Sequence, residues 1–193
     1  MKDVANSWNK FLHPETLRGN LLVISLYIAA YELFKTSIIE KPETFYSTGF
    51  NKDGIIISDK YKIEVLALSK SRLYASLLWL KEMGAIDNSD IETFDGIRKH
   101  RNEVTHELVD FLANNNRNFD YSKFQALIEL LGRIERWWFI NFEVAIDPEI
   151  LPDGADSEEV ISGRMVSIKL MLDIALGAEP EEGYYYKALK NKV

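Results

Sequence analysis

The sequence predicts an all-α protein, a bundle of about five main helices with one long loop at about residues 41–60. Three observations predict it. Apolar residues recur at three- and four-residue steps, the apolar-rich stretches run long without internal proline, and turn-forming residues gather between these stretches. At 193 residues the chain suits a single domain, 1–193, able to bury a full core without staples. No internal repeat, low-complexity tract or composition shift marks a second one.

The elements follow in order. Residues 17–39 form the first long helix, which Pro14 is placed to open, with His13 reading as a local capping or surface residue. The stretch 41–60 lacks helical period; it holds Pro42, Gly49 and Gly54, then Ile55-Ile56-Ile57, and reads as a loop with a short strand. Residues 63–83 form the second long helix. Asp87-Asn88-Ser89 supplies capping side chains for a third helix, and Asn114-Asn115-Asn116 suits its end. From Phe124 the stripe Phe124, Leu127, Ile128, Leu131, Ile134, Trp138 carries a fourth helix to about Ala145, leaving Trp137 to find a second apolar surface. Pro148, Pro152 and Gly154 separate it from a fifth, marked by Ile161, Met165, Ile168, Leu172 and Ala175.

Composition narrows the chemistry. Without cysteine there are no disulfides, thiolate metal sites or Cys nucleophiles. A net charge of -7 and a pI near 5.1 exclude the global basic footprint of a nucleic-acid-binding domain, so any RNA contact must be local. The apolar run 21–30 falls short of the ~20 residues that cross a bilayer, and the N-terminus shows no secretory pattern. The expectation is a soluble cytoplasmic protein that makes no membrane contact.

The most informative segment is Arg101-Asn102-Glu103-Val104-Thr105-His106. It places a permanently charged guanidinium, an amide and an imidazole within two turns of one helix, a set suited to handling phosphate. Phe94, Ile97, Val104, Leu108 and Phe111 form an apolar stripe, and Arg101 falls in line with it. A guanidinium there needs an acceptor, because its desolvation costs several kcal/mol; Glu32, Glu64 and Glu82 are the candidates. His106 lies about 140° around the helix from Arg101, whereas Asn102 lies about 40° from both His106 and Arg98. The polar face is therefore Arg98, Asn102 and His106. Arg98, Lys99 and His100, with Arg101, concentrate the basic groups where RNA phosphate would land unless Asp95 and Glu103 cancel them, the alternative being a solvated face with i,i+4 pairs; Arg117, Arg133 and Arg136 could extend the patch.

Other constellations carry less. His106-Glu107-Leu108-Val109-Asp110 mimics a zinc-protease helix with Asp at the second His, too few ligands for a zinc site. His100 and His106 do not face one another. Tyr184-Tyr185-Tyr186, with Lys187, Lys190 and Lys192, could stack bases or simply pack as a tail. No metal and no cofactor is assigned.

The segment 101–106 resembles the Arg-x4-6-His signature of HEPN domains, with supporting similarity in Ile97 to His106 and in Ala29-Ala30-Tyr31-Glu32-Leu33. The resemblance implies a HEPN-like helical bundle that dimerises so that two motif helices build one site. It implies metal-independent RNA cleavage by 2′-hydroxyl attack, leaving 2′,3′-cyclic phosphate ends. Arg101 would neutralise the phosphorane, His106 would act as base or acid, and Asn102 would hold the phosphate or the imidazole. Many members are toxins or phage-defence effectors, some restrained by a cognate antitoxin or regulatory protein. One departure is specific: toxins paired with nucleotidyltransferase antitoxins often carry Tyr two residues after the His, and here Leu108 stands there. The alternative is a non-catalytic HEPN-like module that binds RNA or a protein partner, and a purely structural bundle is a third reading.

Overall fold

The first helix is longer than its apolar period suggested. A computed structural model describes Trp8, residues 10–150 and residues 161–177. In it α1 runs from Pro14 to Phe45, about 48 Å at 1.5 Å per residue. His13 caps it, its Nδ1 accepting the Thr16 N–H at 3.3 Å, and Pro14 takes the first turn, where its missing N–H costs nothing. Val23, Tyr27, Ala30, Tyr31, Phe34 and Ile38 form the buried stripe. The helix passes straight through Pro42, against the expected loop from 41. Proline removes one hydrogen bond, but Ile38, Lys41 and Pro42 are buried, and tertiary packing there outweighs the local preference.

The rest of 41–60 is also more ordered than expected. Strands β1 (Ser47–Asn51) and β2 (Gly54–Ile57) pair antiparallel, Asn51 opposite Gly54, around a Lys52-Asp53 turn where Asn51 Oδ1 accepts the Asp53 N–H. Gly54 at φ 120° occupies backbone space that a side chain would strain.

The expected helix 63–83 is broken into α2 (Lys60–Glu64), a 3₁₀ turn (Leu66–Leu68) and α3 (Arg72–Glu82). Serines cause the break: Ser69 Oγ accepts the Ser71 N–H and Ser71 Oγ accepts the Tyr74 N–H, so the side chains outcompete the helical ladder. The third expected helix likewise divides. Helix α4 (Asn88–His106) starts in a reciprocal Asp87–Asp90 capping box, stops at Glu107, and α5 (Leu108–Ala113) resumes before Asn114.

Helix α6 (Tyr121–Trp138) is capped by Asp120 and buries Phe124, Leu127, Leu130, Leu131, Ile134 and Trp138. A π turn (Phe139–Glu143) then widens the ladder before a last short turn at Val144–Ile146. Helix α7 (Gly163–Leu176) begins at the Ser162 cap. Pro152 and Gly154 lie outside the described residues.

The protein is thus mostly helical, with α1 in contact with α3, α4, α5, α6 and α7. One core cluster joins α1, α3, α4, α6 and α7, and a smaller one, Ile24, Val104, Phe111 and Leu112, sits under the α4–α5 junction. By length and apolar content α1 alone among the described residues could cross a membrane; here its buried stripe is the centre of a globular core. One buried polar cluster centres on Lys41, whose Nζ meets Glu135 Oε1 at 2.8 Å while the Ser37 hydroxyl donates to the same oxygen. Burial works against the Glu135 charge, but Lys41 and Ser37 together hold its carboxyl below the ordinary range.

Candidate functional site

Helix α4 builds the site. Its inward stripe is Phe94, Ile97 and Val104, all fully buried, and Arg101 occupies the same line with 25% of its side chain exposed. The required acceptor is Glu32 of α1, whose Oε1 takes the Arg101 Nη2 at 2.6 Å; Glu64 instead accepts from the Tyr46 hydroxyl and Glu82 is exposed. Glu32 Oε2 also meets Lys35 Nζ at 3.0 Å. Burial would raise the Glu32 carboxyl; Lys35 and then Arg101 hold it below its ordinary value.

The guanidinium lies 5.2 Å from the Tyr31 ring centroid, a cation–π contact, and reaches Asn102 Oδ1 at 3.4 Å through Nη1, a weak bond at that distance. Its Nε is buried with no acceptor among the described residues. One turn earlier Arg98 repeats the arrangement, 5.3 Å from the Tyr74 ring. The Tyr74 hydroxyl donates to Asp95, and burial with that carboxylate pushes the phenol up to about 12. Both phenols rest on the Phe94 ring, so two arginines sit side by side on one aromatic base.

His106 is exposed at the last residue of α4. Lys99, also exposed, is seven residues earlier and therefore only about 20° away around the helix. Asn102 is half-buried between the Arg101 and His106 sides. The segment from Arg101 to His106 stays helical and the break at Glu107 comes after it, so no bend brings the two side chains together within one chain. They remain about 140° apart and about 7.5 Å apart along the axis.

His100 departs from the expected RNA-contacting role. Its ring is 7% exposed, packed against Tyr27, Phe111 and Phe119, and its Nε2 accepts the Asp120 N–H at 3.3 Å. Burial lowers its pKa, with Asp120 opposing. The imidazole pins α4 to the start of α6, which leaves Arg98 and Lys99 as the exposed basic pair. Of the arginines expected to extend it, Arg117 pairs with Glu107 and Asp110 and Arg133 with Asp90 at 2.6 Å, while Arg136 is exposed on α6. Trp137 packs partly against the core and Phe142. Among the described residues no three His, Asp or Glu side chains converge as metal ligands. Tyr184 to Tyr186 and their lysines lie outside the described residues.

Tyr74 and Lys35 escaped the sequence reading, as did the contacts that Tyr31 and Asp95 make. The signal existed only for Tyr31, beside Glu32; the others are brought in by α3 and by one turn of α1 or α4. No family model, no curated protein and no solved structure matches this chain.

Proposed function

We propose that this protein is a HEPN-like, metal-independent endoribonuclease that works as a cytoplasmic homodimer, with the motif helices of two copies forming one site. The observation that carries the reading is Arg101. A charged side chain is kept on a core-facing stripe, partly exposed and oriented by Glu32 and Tyr31, with His106 in solvent five residues on. A core position favours apolar residues, so a retained guanidinium points to use.

In the mechanism one His106 takes the proton of the RNA 2′-hydroxyl as O2′ bonds to phosphorus. The partner's His106 gives a proton to the departing 5′-oxygen as the P–O5′ bond breaks. Arg101 neutralises the phosphorane oxygens and Asn102 orients the phosphate or the imidazole. Arg98 and Lys99 bind flanking phosphates. Two copies remove the 140° difficulty, since Arg101 of one and His106 of the other can approach one phosphate. Trp8 and Val109 leave an apolar cavity of about 240 Å³ beside α5, just beyond His106, which is surface of the kind a second copy would cover. The product carries a 2′,3′-cyclic phosphate and a 5′-hydroxyl. A toxin or phage-defence role restrained by a cognate antitoxin or regulatory protein fits such an activity.

The test is incubation of the purified chain with RNA in EDTA, reading the end groups. Cyclic phosphate formation that disappears in His106→Ala, with the circular dichroism unchanged, supports the proposal; cleavage that persists in this variant overturns it. The second reading, a non-catalytic HEPN-like module that binds RNA or a protein partner, is favoured by the net charge of -7 and by Glu32 already occupying Arg101. It predicts binding without cyclic ends.

A further inference from the structure

The helix that begins at Tyr121 does not keep one register to its end. The π turn at Phe139–Glu143 puts an extra residue into it. In an unbroken α-helix Glu143, eight residues after Glu135, lies about 80° around the axis from it. The extra residue takes back about 100°, which brings Glu143 to within about 20° of Glu135. Single π turns of this kind are frequent at functional sites.

The realigned glutamates meet α1 and the start of α7 at a cavity of about 230 Å³, whose lining includes Glu40, Lys41, Glu135, Trp138, Glu143 and Arg164. The charges there do not cancel. Lys41 pairs with Glu135 at 2.8 Å, and Arg164 pairs with Glu40. Glu143 is exposed and has no cation within ion-pair distance among the described residues, so one negative charge is left over. The Lys41 ammonium and the Ser37 hydroxyl both use Glu135 Oε1, which leaves Oε2 without a donor among the described residues. An adjoining cavity of about 340 Å³ shares Glu135, Glu143 and Arg164 and adds the apolar side chains Phe139 and Ile161.

The surplus charge disfavours an anion, and a divalent metal needs more oxygen ligands than one carboxylate and one spare oxygen supply. A cation with a hydrocarbon chain answers both halves of the lining. Its ammonium donates to Glu143 and to Glu135 Oε2, and its chain lies on Phe139 and Ile161. We infer that the cavity where α1, α6 and α7 meet is a binding site for a short aliphatic amine. The site uses neither Arg101 nor His106, so it stands or falls separately from the ribonuclease reading.

The test is titration of the isotope-labelled full chain with n-butylamine at neutral pH and low salt, followed by the amide shifts in nuclear magnetic resonance. Saturable shifts are expected at Thr44, Phe139, Glu143 and Arg164, and none with n-butanol, which has the chain without the charge. Glu143→Gln, with unchanged circular dichroism, is expected to raise the dissociation constant about tenfold, because a charged acceptor is lost. Glu92→Gln, on the exposed side of α4, is expected to leave it unchanged. No saturable shift, shifts away from the cavity, or a dissociation constant unmoved by Glu143→Gln overturns the inference. So does equal weakening by Glu92→Gln, which would show attraction to the acidic surface as a whole.

Discussion

Replacing Arg101 by methionine separates use from architecture at this position. The variant keeps an unbranched chain along the stripe between Ile97 and Val104 but removes the charge. Three terms follow from the structure. The Glu32 pair is partly exposed, at 25% and 43% for the two side chains, so its loss costs about 0–1 kcal/mol. Losing the contact with the Tyr31 ring costs about 0.5–1 kcal/mol. Against these, the buried Nε without an acceptor disappears, a relief of roughly 1–3 kcal/mol. The net lies between about 1 kcal/mol of loss and about 2.5 kcal/mol of gain. At roughly 2–4 °C per kcal/mol for a chain of this size, calorimetry is expected to find Arg101→Met melting no more than about 4 °C below the wild type, or above it. RNA cleavage is expected to vanish in the same sample. A fall of more than about 10 °C would show that the arginine is required by the fold, and the functional reading of the position would lose its basis.

Other perturbations follow the same physics. Lys41→Met leaves the buried Glu135 carboxylate with only the Ser37 hydroxyl and the more distant Arg164 guanidinium at 4.0 Å, and is expected to cost about 3 kcal/mol in urea unfolding, while Lys41→Met/Glu135→Leu recovers most of it. Asp87→Ala removes the capping box of the motif helix and is expected to cost about 1 kcal/mol by the same measurement. The buried His100 holds fewer protons in the folded than in the unfolded state, because burial lowers its pKa. Its contribution is therefore complete above the ordinary histidine value of about 6.5 and is lost as pH falls below it. Unfolding free energy measured from pH 7.5 to 5 is expected to decline more steeply for the wild type than for His100→Gln.

Much of this was legible because it depends on neighbours in sequence. The cap at Asp87, the proline at the start of α1 and the three-and-four stripe of α6 are local signals, and each element stands where those residues put it. Arg101 was recognisable as a charge needing a carboxylate, and Glu32 was among three named acceptors. What escaped was decided by competition over distance. Ser69 and Ser71 broke a helix whose apolar content argued for continuity, and Pro42 failed to stop one because Ile38 and Lys41 were already buried.

His100 and His106 mark the same boundary within the site. Their residue types are equally suited to phosphate, and helix arithmetic placed them on different sides of α4 without saying which side was wet. The sequence by itself determined a mostly helical chain, the place of the helix that carries Arg101 and His106, and the 140° separation between those two residues, since these follow from 3.6 residues per turn. Only the tertiary structure decided that Phe119 and Asp120 would close over His100, that Glu32 would take Arg101, and that His106 would stay in solvent. Those outcomes depend on which helices pack against α4, and that packing arises from burial summed over the whole chain.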